Sequence, residues 1–238
     1  MKKRIFCMII MIVLCFCGTV PLGADQSQKD PFGADFIDGL TFFGESTTAH
    51  LQKRSSLRPE QVWANDSGTA RLDSTLAQRP IRDAKTGDLI SPIEAAERDT
   101  PDFLVLCFGL NGIMEFSQNP QDYLQKYQKL TDALSEASPN TRFLIQSVYP
   151  VAREEHQADW KFSVSAQEIN QKIVLLNGHL ERFCEGLSNV DFVDTSCKLT
   201  DSEGFLREDF TTDGIHLTST AYALVLRCFS DYGNTVAP

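Results

Sequence analysis

Three residues that together can carry out nucleophilic chemistry stand at two places in the chain: Ser46 early on, and Asp213 with His216 near the far end. Leu40-Thr41-Phe42-Phe43 is a short apolar run, Gly44 breaks it, and the segment from Thr47 to about Leu57 suits a helix. Ser46 therefore falls at the bend of a strand-turn-helix. There the unpaired N–H groups and the dipole of the helix favour negative charge, so an alkoxide or a tetrahedral oxyanion would be stabilised. The same stretch is also what a plain serine-capped helix start looks like. A serine nucleophile needs a base, and the base needs a carboxylate to fix its tautomer and stabilise the imidazolium. Asp213 and His216, three residues apart, can meet within one turn, although Asp-Gly is also a common surface turn. Each signal is weak alone. In this order they describe a nucleophile, a base and an orienting acid.

Four blocks stand in sequence: Gly44-Glu45-Ser46, a glycine at Gly68, Gly109-Leu110-Asn111, and Asp213-Gly214-Ile215-His216. With them the chain resembles the SGNH (GDSL-type) hydrolase family, over a span from Leu40 to Tyr222. The resemblance implies a serine esterase that needs no cofactor, and no paired short Cys or His spacing points to a metal site. It makes Ser46 the nucleophile, His216 the base and Asp213 its partner, with an oxyanion hole formed by the Ser46 and Gly68 N–H groups and the Asn111 side chain. Two positions depart from the family pattern: Glu45 stands where Asp is usual before the serine, and Gly112 where Asp usually follows the asparagine. Glu45 keeps the charge on a longer arm, whereas Gly112 removes a carboxylate beside Asn111.

The elements that must position these residues are legible as alternating strands and helices. Gln61 to Ala64 reads as a short strand running into the Gly68 turn, and Arg71 to Gln78 as a short helix. Ile81 to Leu89 carries Thr86-Gly87-Asp88, a turn signal, and reads as a surface excursion or a small hairpin. Ser91-Pro92-Ile93-Glu94 has the hydroxyl, proline and acid of a helix start, and Thr100-Pro101 ends that helix. Phe103 to Phe108 is apolar without alternation, as in a strand buried on both faces, and Asn111 follows it. Helices are expected over Gln121 to Ala137, Ala166 to Cys184 and Thr218 to Tyr232, and strands over Arg142 to Val148 and Val190 to Val193. This order predicts an α/β fold: a three-layer α/β/α sandwich with a mostly parallel sheet of about five strands. The family resemblance implies its flavodoxin-like form. Ligands of open α/β sheets bind beyond the carboxyl ends of the strands, where Ser46 and Asn111 would both lie.

Further substrate contacts are expected on two segments. The loop from Ala152 to Ser163, with His156, Trp160 and Phe162, is a candidate platform for a sugar or acceptor, and Met114 to Phe116 could form the opposite wall. Glu115, Phe116 and Trp160 are the candidates, beside the alternative that loop aromatics anchor the fold. His50 lies one turn after Ser46 but has no evident orienting carboxylate, and His179 lies inside a helix, which leaves His216 as the base.

The first residues are basic and Ile5 to Val20 is almost wholly apolar before Pro21-Leu22-Gly23-Ala24, the pattern of a secretory signal peptide over residues 1–24. Residues 25–36 then read as a flexible tether and 37–238 as the hydrolase-like domain. The chain carries a formal charge of −10, and removal of residues 1–24 would take away three positive charges and no negative one, leaving −13. So acidic a protein has no clustered basic patch for nucleic acid or an anionic membrane. The expectation is a secreted or extracytoplasmic monomer acting on a small-molecule or carbohydrate ester, without membrane insertion after cleavage. An acyltransferase with the same residues and a non-catalytic carbohydrate-binding protein remain open. Of seven cysteines, Cys107, Cys184, Cys197 and Cys228 lie beyond the leader; Cys184 and Cys197 flank a strand and are the expected disulfide.

Overall fold

The computed structural model of the chain describes residues 36–64, 70–157 and 162–236. The leader and most of the tether (1–35) lie outside them, as do Gly68 and Trp160. Five strands, β1 (Leu40–Gly44), β2 (Val62–Trp63), β5 (Phe103–Cys107), β6 (Arg142–Gln146) and β7 (Val190–Val193), form one sheet in the order β2-β1-β5-β6-β7. Every pairing in it is parallel, with Phe42 beside Val105 and Val105 beside Leu144 at its centre. Between β2 and β5 the chain makes a separate antiparallel hairpin, β3 (Ile81–Arg82) with β4 (Leu89–Ile90). It turns at the expected Thr86-Gly87-Asp88.

Six α-helices lie wholly within the described residues, beside five short 3-10 turns: α1 (Ser46–Arg54), α2 (Pro92–Asp99), α3 (Ile113–Gln118), α4 (Pro120–Ala137), α5 (Ala166–Glu185) and α6 (Ser219–Val236). The strand residues alternate between two buried layers. Phe43, Leu104, Leu106, Phe143 and Ile145 face a layer formed with α2, α4 and α5, through Ala95, Tyr127, Leu130, Ile173 and Leu180. Leu40, Phe42, Val105 and Leu144 face the opposite layer, with Ala49 and Leu51 of α1 and Tyr222, Val225 and Phe229 of α6. Burial on both faces is why the strands read as continuous apolar runs.

The helix starts obey local chemistry. Ser91 accepts from the Glu94 N–H while the Glu94 carboxylate accepts from the Ser91 N–H, a capping box that fixes α2. Asn119 and Ser165 cap α4 and α5 in the same N3 pattern. The segment expected to be helical over Arg71 to Gln78 contains only a 3-10 turn, Thr75–Ala77, and α1 stops at Arg54 instead of Leu57 because Ser55 is extended.

The expected Cys184–Cys197 disulfide is absent. Both are free, as are Cys107 and Cys228. Cys184 is buried in the α5 layer, whereas Cys197 lies on the exposed turn after β7, which packs against α6 on the other side of the sheet. Flanking a strand in sequence thus put the two thiols on opposite faces.

Candidate active site

The chain order of the sheet strands reverses direction between β1 and β5, so the loops leaving these two strands diverge and open a crevice at their carboxyl ends. Ser46 leaves β1 there and Asn111 leaves β5. Ser46 does not cap its helix. Glu45 occupies the N-cap position, makes no side-chain cap, and leaves Ser46 as the first helical residue. Its hydroxyl is therefore available to another partner.

That partner is His216, whose Nε2 lies 2.9 Å from Ser46 Oγ. On the other side of the ring, Nδ1 lies 2.6 Å from Asp213 Oδ2. The three side chains form a continuous relay from residues 170 positions apart in the chain. Asp213 is 47% exposed and His216 19%, so the relay opens to solvent at its acidic end.

The loop holding His216 is shaped by its own short side chains. Asp213 Oδ1 accepts from the N–H groups of Ile215 and His216, at 3.0 and 2.7 Å, so one carboxylate both shapes the turn and meets the ring. Thr211 Oγ1 accepts from the Gly214 N–H and donates to the His216 carbonyl. Gly214 has φ +85°, and a Cβ there would stand 2.1 Å from Gln157 Cγ, so glycine is required on both counts. The loop is fastened to the nucleophile helix by Arg54, which donates to the Leu217 carbonyl at 2.6 Å, and by Tyr222, whose hydroxyl donates to the Thr47 carbonyl at 2.7 Å. Partial burial pushes the Asp213 pKa up, but hydrogen bonds from the His216 ring and from the His216 and Ile215 N–H groups outweigh it and hold the group at about 2. Asp213 is thus ionised throughout the neutral range.

Glu45 performs a task its longer arm makes possible. It is 4% exposed, and its carboxylate accepts from the Gly109 N–H at 3.2 Å and the Asn111 N–H at 3.1 Å. The residue before the serine therefore grips the loop that carries Asn111. Gly112 is explained by the same packing: a Cβ there would lie 2.4 Å from Cε2 of the buried Tyr123 ring, which fills the space. Gly112→Ala is expected to lower stability by about 1–3 kcal/mol through overpacking, read as a fall of several degrees in Tm.

Glu45 also sets a pH dependence. Burial raises its pKa from 4.5 to about 7, against the opposing pull of the Asn111 and Gly109 N–H groups and the Arg71 guanidinium. Between those two values the folded chain holds a proton that the unfolded chain has released, so stability falls as pH rises through that window. The slope reaches up to about 1.4 kcal/mol per pH unit. Urea unfolding across this window should show that slope in the wild type and a flattened one in Glu45→Gln.

Asn111 itself is exposed at the crevice, as a donor to a bound ligand would be. Phe116 does not fit its expected role. At 2% exposure it packs among Tyr123 and His179 in the core, and it cannot touch a substrate. Tyr123 and His179, which enclose it, come from α4 and α5, so residues adjacent in sequence do not mark it as core. Glu115 pairs with Lys126 and lines a crevice with Asn111 and Gly112. Phe162 packs against the core and anchors its end of the loop. His50, which has no orienting carboxylate among the described residues, lies with its ring flat on that of His216, with centroids 3.9 Å apart and 11° between planes. Its position four residues after Ser46 on one helix was the available signal. Among the described residues, no cluster of His, Cys, Asp and Glu could hold a metal ion, and no helix is long and apolar enough to cross a membrane.

With a serine hydroxyl on an imidazole and the imidazole on a carboxylate, the site can attack a carbonyl carbon and move the displaced proton. No curated protein matches the chain significantly. Among solved structures it is similar to a Streptococcus pneumonia protein named for platelet activating factor, with TM-score 0.58 and 20% identity over 85% of this chain and 91% of that one. It is also similar to a GDSL-like lipase from Bacteroides thetaiotaomicron, with TM-score 0.54 and 16% identity over 83% and 88%. A third is a carbohydrate esterase family 3 protein from Talaromyces cellulolyticus, with TM-score 0.51 and 11% identity over 83% and 99%. At these identities the likeness is one of fold. The family itself is set by sequence: residues 42–224 match the GDSL-like lipase/acylhydrolase model, and the chain belongs to that family of serine hydrolases acting on ester bonds.

Proposed function

We propose that this chain is an exported serine esterase that removes short O-acyl groups, chiefly acetyl, from a carbohydrate or cell-wall polymer. The observation that carries the mechanism is the relay of 2.9 Å from Ser46 to His216 and 2.6 Å from His216 to Asp213. Ser46 Oγ attacks the ester carbonyl as its proton passes to His216 Nε2, and Asp213 holds the imidazolium in place. The oxyanion is held by the Ser46 N–H at the start of α1, the Asn111 amide and the Gly68 N–H. Collapse of the tetrahedral intermediate expels the sugar alkoxide, which takes the proton from His216. Water then gives a proton to His216 as it attacks the acyl-enzyme, and the second tetrahedral intermediate collapses to the carboxylic acid as His216 returns that proton to Ser46 Oγ. No cofactor or metal takes part.

Two features support a short acyl group and a polar alcohol. The pocket beside Thr47, lined by Gly109, Leu110, Ser147, Val148 and Tyr149, has a cavity volume of about 20 Å³, room for a water or two and too little for a long acyl chain. The strongly acidic chain also disfavours an anionic lipid surface. Glu115, on the Asn111 side, and Trp160 are the proposed contacts to the alcohol portion. Export follows from the basic start and apolar run of residues 1–24.

Hydrolysis of aryl esters of increasing acyl length, beside acetate release from acetylated polysaccharides, tests this reading. Expected is a kcat/KM that falls steadily beyond acetyl and propionyl, together with acetate release from a glycan. A kcat/KM that rises toward long acyl chains, or transfer of acetyl to added sugar in preference to water, would overturn it.

A further inference from the structure

The two hydrogen bonds on His216 are made through its ring nitrogens, at the edge of the ring and not on its faces. They hold its two nitrogens, but a swing of the side chain about its own torsions, out of the ring plane, would carry Nε2 and its lone pair away from Ser46 Oγ. What meets the face of the ring decides how far it swings. That contact is His50, stacked at 3.9 Å and within 11° of parallel. It is delivered by α1, the helix that carries Ser46 one turn earlier, so nucleophile and stacking ring move as one body.

We propose that His50 is a positioning residue: its ring, flat against His216, holds the imidazole in the plane that joins Ser46 to Asp213 and offers an uncharged aromatic face to the imidazolium formed during turnover. This rests on the esterase reading above. The second part follows from ring electrostatics, since a cation over an aromatic face is attracted by the quadrupole, and a charged neighbour would reverse the sign. The charged and titratable groups around His50 are Lys53 and Arg54 on its own helix and His216 and Asp213 across from it. Burial, His216 and Arg54 together lower its pKa to about 4, against the pull of Asp213, so the ring is neutral where the enzyme would work. If His50 were only a helix surface residue, alanine would serve as well or better, being the stronger helix former.

The test compares wild type with His50→Ala, His50→Phe and His50→Lys, with Ser46→Ala and His216→Ala as controls. The readouts are kcat/KM for an activated aryl acetate across pH and the rate at which a fluorophosphonate labels Ser46, with melting curves to establish folding. Expected is a fall of about tenfold to a hundredfold in both readouts for His50→Ala, the size of a small misplacement of a reacting group. His50→Phe, flat and uncharged, should recover most of that loss. His50→Lys should fall below alanine, and the acid limb of its profile should move to lower pH. Alanine equal to wild type, or phenylalanine no better than alanine in folded protein, would overturn the proposal. If Ser46→Ala and His216→Ala are inactive while His50→Ala is not, the failure belongs to His50 alone. If those two controls keep full activity, the esterase reading itself fails.

Discussion

Replacing His216 by alanine is expected to lower kcat for an activated aryl acetate by about ten-thousandfold or more, and Ser46→Ala by a similar factor. The reason is geometric. Ser46 Oγ has its 2.9 Å contact with His216 Nε2, and without the imidazole its proton has nowhere to go at neutral pH. The two losses should not add, because each variant stops the same step; the double variant should be about as slow as either single one. Asp213→Asn should lower kcat by about a hundred- to ten-thousandfold. An amide at Asp213 could still accept from the Ile215 and His216 N–H groups through its oxygen, so the loop should stay folded while the ring loses its anionic partner. The check is steady-state kinetics beside circular dichroism for each variant. Activity lost with the spectrum unchanged is the expected pattern.

Glu45→Ala should have the largest effect on the folded state. It removes a buried carboxylate and leaves the Gly109 and Asn111 N–H groups without their acceptor, in a place that water reaches poorly. Unsatisfied buried donors together with a cavity predict a loss of about 2–5 kcal/mol. Activity should fall beyond what instability explains, since the Asn111 loop is released from the residue beside the nucleophile. Chemical denaturation and kinetics below the transition midpoint separate the two effects. Glu45→Gln keeps the volume and one acceptor oxygen, so its stability loss should be smaller. Equal stability for wild type and Glu45→Ala would mean that the two N–H groups find other acceptors and that the bridge is incidental.

Much of the arrangement was legible before any coordinates. Phe103 to Phe108, apolar without alternation, announced a strand buried on both faces, and Ser91 with Glu94 marked the start of α2 to the residue. Ser46, Asp213 and His216 could be named because each occupies a short motif whose residues interact locally, and the structure brings the three together. What the sequence concealed were contacts across the sheet or between helices. Phe116 read as a wall because nothing in its neighbourhood revealed that Tyr123 and His179 enclose it. Cys184 and Cys197 looked paired because linear distance does not register the sheet between them. Glu45 looked like a conservative departure from Asp, whereas its extra methylene lets it span two backbone N–H groups on the neighbouring loop. His50 lacked a carboxylate and was passed over, since a stacking role leaves no mark in a search for hydrogen-bond partners.

In the proposed mechanism Ser46 becomes acylated and His216 drives that step. The most direct measurement is the intact mass of the protein acid-quenched during turnover of an activated aryl acetate, followed by peptide mapping. Expected is one added acetyl group on Ser46 in wild type, none in Ser46→Ala, and formation slowed by orders of magnitude in His216→Ala. Ester turnover with no acetyl on Ser46, or acetylation of Ser46 at the wild-type rate in His216→Ala, would contradict it.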